Sequence, residues 1–316
     1  MLSEASLPQL PDWLRRLYPF QTRTLRLDGQ ALSFIDEGPR TAPVVVLLHG
    51  NPTWSFLYRK LIPKLAERFR VIAPDHIGFG LSDKPATPGY HSIERHAANL
   101  SALIESTGAK NVTLVLHDWG GPIGLAYATR NAANVSRMML INTWAFPPPT
   151  DKQPRLPWFL RAMRGASGEL LVGRLNMMVS PGIQWATRRK LASDVIDGYK
   201  FPFRDAATRS AMLAFARMIP LRPGDAEFRG MEQIADGLKN ISARTDIFWG
   251  ALDPVFRSKV TAYMLRDALP KATDPHFLAE ASHFVPEDAP EKISDKLLEI
   301  FLPQPEKPVP LFNILR

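Results

Sequence analysis

A carboxylate interrupts one of the most apolar stretches of the chain. In VTLVLHDWGG (112–121), Asp118 follows a run of strand-like residues and is itself followed by Trp119 and two glycines. A strand–turn–helix elbow of this kind lifts the central side chain above a sheet and faces it with free helix amides. Taken alone, an aspartate beside a helix start is as compatible with an N-cap as with a nucleophile. Other segments decide between them. EASHFVPEDAP carries His283, GALDPVF carries Asp253 and HGNPTW carries Asn51.

Residue type narrows the reaction. A serine displacing a group from a saturated carbon would form an ether, which water does not readily cleave. An aspartate forms an ester, which an activated water can hydrolyse. Asp118 therefore points to substitution at an sp3 carbon or to opening of a strained ring. His283, last in chain order and near neutral pKa, suits the role of general base. Asp253 follows a strand end and is the expected orienting acid, because NTWAFP (142–147) contains none and Asp246 begins its strand. The amides of Asn51 and Trp119 are placed to form an oxyanion pair, or their side-chain N–H groups to grip a departing anion. The remaining histidines read as structural: His91 and His96 on a loop and helix face, His276 by an edge strand, and His117 with its side chain on the opposite face from Asp118. No metal or other cofactor is required, since the histidines are dispersed and the sequence has no His-x-x-x-His pair with a neighbouring acid.

These residues need a scaffold. TLRLDGQALSFIDEG reads as a hairpin turning at Asp28-Gly29. Apolar strands are expected at 44–50, 69–75, 112–117 and 137–142, with helices at 54–67, 93–107 and 121–132. The rhythm breaks at AFPPPTDKQPRLP, gives way to amphipathic helices as far as Leu238, and resumes with a strand at 244–250, a helix near 257–268, a weaker strand near 273–279 and a closing helix at 290–301. Continuous apolar strands between helices mark a mostly parallel sheet covered on both faces. The fold class is α/β: an N-terminal arm (1–20), a first core part (21–145), a helical cap (146–238), a second core part (239–302) and a tail (303–316), the arm and tail wrapped on the surface.

The composition fits a globular chain, with 45% hydrophobic and 22% charged residues among 316. No cysteine is present, which excludes disulfides and thiolate catalysis. No apolar run is long enough to span a bilayer and the first residues lack signal-peptide order, so a cytoplasmic location without stable membrane insertion is expected. The formal charge is +8, and residues 151–230 supply most of it with fourteen Lys/Arg against seven Asp/Glu. Without a tight cluster or aromatic-basic interleaving, this excess reads as scattered solvated arginines, and no nucleic-acid partner is expected.

At HGNPTWSFLYR (49–59), PDHIGFGLSDKP (74–85), HDWGGPIGLAYA (117–128) and SHFVPEDAPE (282–291) the chain resembles the haloalkane dehalogenases of the α/β-hydrolase fold. The resemblance implies Asp118 as nucleophile, His283 as base, Asp253 as acid, and Asn51 with Trp119 as the halide-binding pair. It implies an apolar small-molecule substrate and a halide product. Many members place a glutamate after the strand that here reads LINTWAF, so this chain resembles those using the later aspartate. A second cap tryptophan is not identified, although Trp158 and Trp185 are candidates. The same motifs resemble a sister group that decarboxylates cis-β-lactones to alkenes, to which MIPLRPGD (218–225) in the cap adds weight. Dehalogenation is the first expectation and lactone decarboxylation the alternative. Epoxide hydrolysis, needing cap tyrosines where only Tyr199 lies well inside the insertion, and a non-catalytic binding protein rank behind. Phe146, Phe159, Phe203, Phe215 and Leu221 are candidates either for the pocket wall or for packing within the cap. Oligomeric state cannot be read from periodicity.

Overall fold

Strands β4 (Val44–Leu48), β5 (Arg70–Pro74) and β6 (Val112–His117) are buried at every residue, as strands covered on both faces must be. A computed structural model describes residues 2–3, 10–87, 89–149, 158–256 and 259–301. The other strands are β1 (Leu2–Ser3), β2 (Thr22–Leu27), β3 (Gln30–Glu37), β7 (Val135–Ile141), β8 (Arg244–Gly250) and β9 (His276–Leu278). They form one nine-stranded sheet in the order β1-β2-β3-β5-β4-β6-β7-β8-β9. The pairs from β1 to β5 are antiparallel and the rest parallel. The expected α/β architecture is therefore present, and the expected hairpin pairs Leu27 with Gln30 across a turn in which Asp28 and Gly29 both have positive φ.

Helices α1 (Asp12–Leu17), α2 (Ile62–Ala66), α3 (Ile93–Ser106) and α4 (Gly120–Arg130) precede β7. Between β7 and β8 come α5 (Trp158–Arg164), α6 (Ile183–Trp185), α7 (Ser193–Lys200), α8 (Ser210–Met218) and α9 (Phe228–Gly237), with π-helical turns at Glu169–Arg174 and Met178–Gly182. Then follow α10 (Val260–Ala268), α11 (Val285–Asp288) and α12 (Pro290–Phe301). One buried apolar cluster runs through the sheet, its covering helices and the inserted helices. Among the described residues no helix is long and apolar enough to cross a membrane.

Two expectations need correction. The helix foreseen at 54–67 is a 3-10 turn, Ser55–Tyr58, and then α2, which starts at Ile62 with Pro63 in its first turn, where a missing N–H costs least. The N-terminal arm is not merely wrapped on the surface: Leu14 and Tyr18 are core residues, and the Tyr18 hydroxyl is 2.6 Å from Ser55 Oγ. The tail beginning at Pro303 and the stretch 150–157 lie outside the described residues.

Candidate active site

The parallel strands end on one side of the sheet, and their carboxyl ends carry the site. Asn51 follows β4, Asp118 follows β6, Asn142 follows β7 and Asp253 follows β8; His283 comes after β9. Asp118 is held at φ 50°, a left-handed conformation that costs a non-glycine residue about 1–3 kcal/mol. Its surroundings compel this. The Asp118 N–H donates to Asn142 O at 3.2 Å, while its carbonyl accepts from Gly121 N at 2.9 Å and Thr143 Oγ1 at 2.6 Å. A Cβ on Gly120 would sit 2.3 Å from Leu48 O, so only glycine lets α4 begin directly on the neighbouring strand.

The Asp118 carboxylate has donors on one side and an imidazole on the other. Asn51 N–H donates to its Oδ1 at 2.9 Å, and the Trp119 amide also faces the group. His283 Nε2 is 3.7 Å from Oδ2, too far for a direct hydrogen bond. Burial raises the Asp118 pKa above its ordinary 3.8, outweighing the opposite pull of His283 and the two amides. His283 Nδ1 lies 2.9 Å from Asp253 Oδ2. Burial opposes charge on this imidazole, but the Asp253 and Asp118 carboxylates outweigh it and its pKa is raised. Burial likewise opposes charge on Asp253, yet His283, the Asn142 amide and the Phe256 N–H hold its pKa down.

Asn142 has a role that its position at a strand end did not announce. Its Nδ2 donates to Asp253 Oδ2 while its Oδ1 accepts from Gly250 N at 2.8 Å, tying β7 to the acid loop. Val255 N and Phe256 N donate to Asp253 Oδ1 at 2.6 and 3.0 Å, so both carboxylate oxygens of Asp253 are engaged.

His117 departs from expectation. Its ring, instead of pointing away, lies 4.9 Å from that of His283, and its Nε2 donates to His283 O at 3.0 Å. Burial and the neighbouring His283 lower its pKa to about 3, so it remains a neutral donor propping up the His283 backbone. Strand alternation fails here because His117 is the last residue of β6, where the chain already turns toward the elbow.

A cavity of about 870 Å³ opens above these groups, with Asn51, Asp118, Trp119 and His283 in its wall. Phe146, Phe159 and Leu221 line it, as do Trp158 and Trp185. Phe203 and Phe215 instead pack in the interior against Phe79, and Phe215 also supports the Trp119 ring at 5.1 Å. Trp144 and Phe256 are wall residues that periodicity did not suggest. Tyr199 is buried away from the cavity, its hydroxyl donating to Glu287. Glu287 also pairs with Arg59, bidentately, and with Lys60.

The inserted helices reach the site through their backbone. Met212 O accepts from Asn51 Nδ2 at 3.1 Å, so one of the two N–H groups of this amide is engaged. Ala186 O accepts from His283 N at 3.1 Å.

A family model for the alpha/beta hydrolase fold matches residues 43–290. The chain is 38% identical to the cis-3-alkyl-4-alkyloxetan-2-one decarboxylase of Shewanella oneidensis, covering 89% of this chain and 88% of that one. It is 34% identical to haloalkane dehalogenase 2 of Mycobacterium tuberculosis, covering 90% and 96%. Among solved structures, a putative ancestral haloalkane dehalogenase superposes with a TM-score of 0.80 at 27% identity, over 88% of this chain and 97% of that one. With its elbow, its inserted helices and these likenesses together, the chain belongs to the α/β-hydrolase fold family, in the part of it that holds the haloalkane dehalogenases and the cis-β-lactone decarboxylases.

Proposed function

We infer that this enzyme opens a cis-3,4-dialkyl oxetan-2-one, a β-lactone, and releases CO2 to leave an alkene. The observation that carries this reading ahead of dehalogenation is the cavity. At about 870 Å³ it lies in the upper part of the ~300–1,000 Å³ range of small-molecule sites, far larger than a short haloalkane fills and suited to two alkyl chains. The 38% identity to decarboxylases, against 34% to a dehalogenase, agrees with it. Residues 146–238 act as the cap that completes the apolar chamber.

Asp118 attacks ring carbon C4 from the face opposite its oxygen. The C4–O bond breaks, a C4–O(Asp118) ester bond forms, and the former ring carbonyl becomes a free carboxylate on C3. Loss of that carboxylate as CO2 leaves its electron pair to form the C3=C4 bond, and the Asp118 carboxylate departs. Inversion at C4 places the two leaving groups antiparallel, so a cis lactone gives a cis alkene. His283, charged and oriented by Asp253, holds the developing carboxylate.

Dehalogenation is the second reading, favoured by Trp119 in the cavity wall beside Asn51. There Asp118 displaces halide, and His283 deprotonates a water that hydrolyses the ester to alcohol, halide and a proton. Epoxide hydrolysis loses ground because Tyr199 serves Glu287 rather than the cavity. An assembled triad weighs against a purely binding role.

The test offers purified protein a long-chain cis-β-lactone and a series of 1-haloalkanes side by side. Alkene and CO2 from the lactone, with little halide release, are expected. Halide release without alkene would replace the first reading by the second. If the second reading holds, haloalkane should leave a covalent adduct on the peptide containing Asp118 in His283→Gln, and an adduct-free peptide would count against that reading.

A further inference from the structure

Large apolar side chains stand in solvent on the chain segment that lines the cavity. Trp158 is 76% exposed, Leu175 56%, Leu170 51% and Trp185 48%, and of these Trp158 and Trp185 also line the cavity. Met264 of α10 also lines the cavity while 42% exposed, with Tyr263 beside it in sequence at 41%. Single exposed apolar residues are ordinary on a protein surface, but a set gathered beside one cavity marks an interaction site.

The same stretch carries cations. Residues 158–190 contain six Lys/Arg and one acid, Glu169, which is paired with Arg217 at 3.2 Å. Arg161, Arg174, Arg188, Arg189 and Lys190 are exposed, and among the described residues none of their side chains forms an ion pair, although the backbone N–H groups of Arg188 and Arg189 donate to the buried Asp288 carboxylate. The charge excess is therefore not simply scattered, as the sequence suggested; part of it runs along the chain segment that forms the apolar rim.

We propose that this rim docks on an anionic phospholipid bilayer, so that an apolar substrate passes from the membrane directly into the cavity. Tryptophan is at home in the interfacial layer of a bilayer, and exposed leucines gain by entering its outer acyl region. Cations next to them gain about 1 kcal/mol each from an anionic leaflet. Charge complementarity and the continuity of the rim with an apolar chamber single out lipid as the occupant. Docking is peripheral, in keeping with the lack of a membrane-crossing helix among the described residues. It requires only that the substrate be apolar and so holds for either reaction.

The test is co-sedimentation of the full chain with vesicles of phosphatidylcholine alone and of phosphatidylcholine mixed with phosphatidylglycerol. Binding to the mixed vesicles, weakened by salt, is expected. The variant Arg188→Glu/Arg189→Glu/Lys190→Glu should lose at least about 100-fold in binding, since the three lost cations alone account for about fivefold each and the added carboxylates are repelled. Leu170→Ser/Leu175→Ser, neither in the cavity wall, should also bind weakly while turning over a short, water-dispersed substrate at the wild-type rate. Failure to bind either vesicle overturns the proposal, as does equal binding to both vesicles that survives the charge reversal. A dimer that buries the rim, dissociates in the leucine variant and ignores lipid overturns it in favour of a second copy of this chain.

Discussion

Glu287→Gln isolates the buried ion cluster that joins α7 and α11 to the segment after the 3-10 turn at Ser55–Tyr58. Glu287 is fully buried and Arg59 is 5% exposed, so the substitution leaves a guanidinium in the interior without its carboxylate. Breaking such a pair by removing one partner costs about 3–5 kcal/mol, most of it the uncompensated charge left behind. Lys60, 40% exposed, can turn to water and adds little. At about 2.1 cal/mol/K per residue, 316 residues give an unfolding entropy near 0.66 kcal/mol/K, so the melting temperature should fall by about 5–8 °C. Replacing the whole cluster, as Arg59→Met/Glu287→Leu/Tyr199→Phe, removes charge and hydroxyl together and should restore most of that loss. Acid adds a second readout. Burial opposes charge on Glu287, but Arg59 and Lys60 outweigh it and hold its pKa below the ordinary 4.5. Its contribution is full above about 4.5 and disappears as pH falls through the depressed value. Thermal melts followed by circular dichroism across that window should show wild type losing stability more steeply than Glu287→Gln. A Glu287→Gln protein melting within about 1 °C of wild type, or a triple variant melting below the single one, would refute the reasoning.

Three further outcomes are expected. In Gly50→Ala the new Cβ would fall 2.2 Å from Asp118 Oδ1, so kcat should drop by about 100-fold or more with a smaller proportional effect on stability; an unchanged kcat would show that the carboxylate position is not critical. Asn51→Ala keeps the backbone amide on Asp118 but removes the side-chain donor: haloalkane turnover should fall by ~100-fold or more while alkene formation stays within about tenfold, and equal losses would show that the side chain serves both reactions alike. Because the His283 pKa is raised, the stability from its paired imidazolium is full below the ordinary 6.5 and is lost as pH rises through the higher folded value; melting temperatures measured from neutral to alkaline pH should decline less in Asp253→Asn, and parallel curves would contradict the pairing.

The order of strands and helices was readable because each parallel strand needs an uninterrupted apolar run and each helix an amphipathic one. β6 and β8 match their expected spans of 112–117 and 244–250. That Asp118, Asp253 and His283 meet was foreseeable because the proposed chemistry asks for those types in that chain order, and folding brings them together from residues up to 165 apart. Asn142 escaped because an amide at a strand end has no chemistry of its own; only the carboxylate opposite gives it a task. His117 escaped because alternation assumes a regular strand up to its last residue, and Phe203 and Phe215 because amphipathic periodicity says which face is buried, not what lies behind it. Glu287 and Arg59 lay in motifs whose neighbours drew the attention, and their pairing spans 228 residues of sequence.

In the scheme proposed above, the charges around His283 would decide which of the two reactions one set of residues performs. In the resting site two carboxylates, Asp253 at 2.9 Å and Asp118 at 3.7 Å, favour its protonated form. A haloalkane turns Asp118 into a neutral ester and so removes one of them. The imidazole then releases its proton more readily and becomes the base that hydrolysis needs. A β-lactone also esterifies Asp118, but ring opening sets a new carboxylate on the adjacent carbon, within reach of the same imidazole. The positive charge is kept, water is not activated, and loss of CO2 becomes the open course. On this hypothesis the substrate's own carboxylate, not a further residue, selects elimination over hydrolysis. A 3-halo-2-alkylalkanoate separates the two ideas, since it alkylates Asp118 as a haloalkane does yet carries the carboxylate of an opened lactone. It should yield halide, CO2 and alkene, with Asp118→Asn as the control for uncatalysed loss. Conversion instead to the 3-hydroxy acid, at the rate at which the plain haloalkane gives alcohol, would mean that the carboxylate does not govern His283.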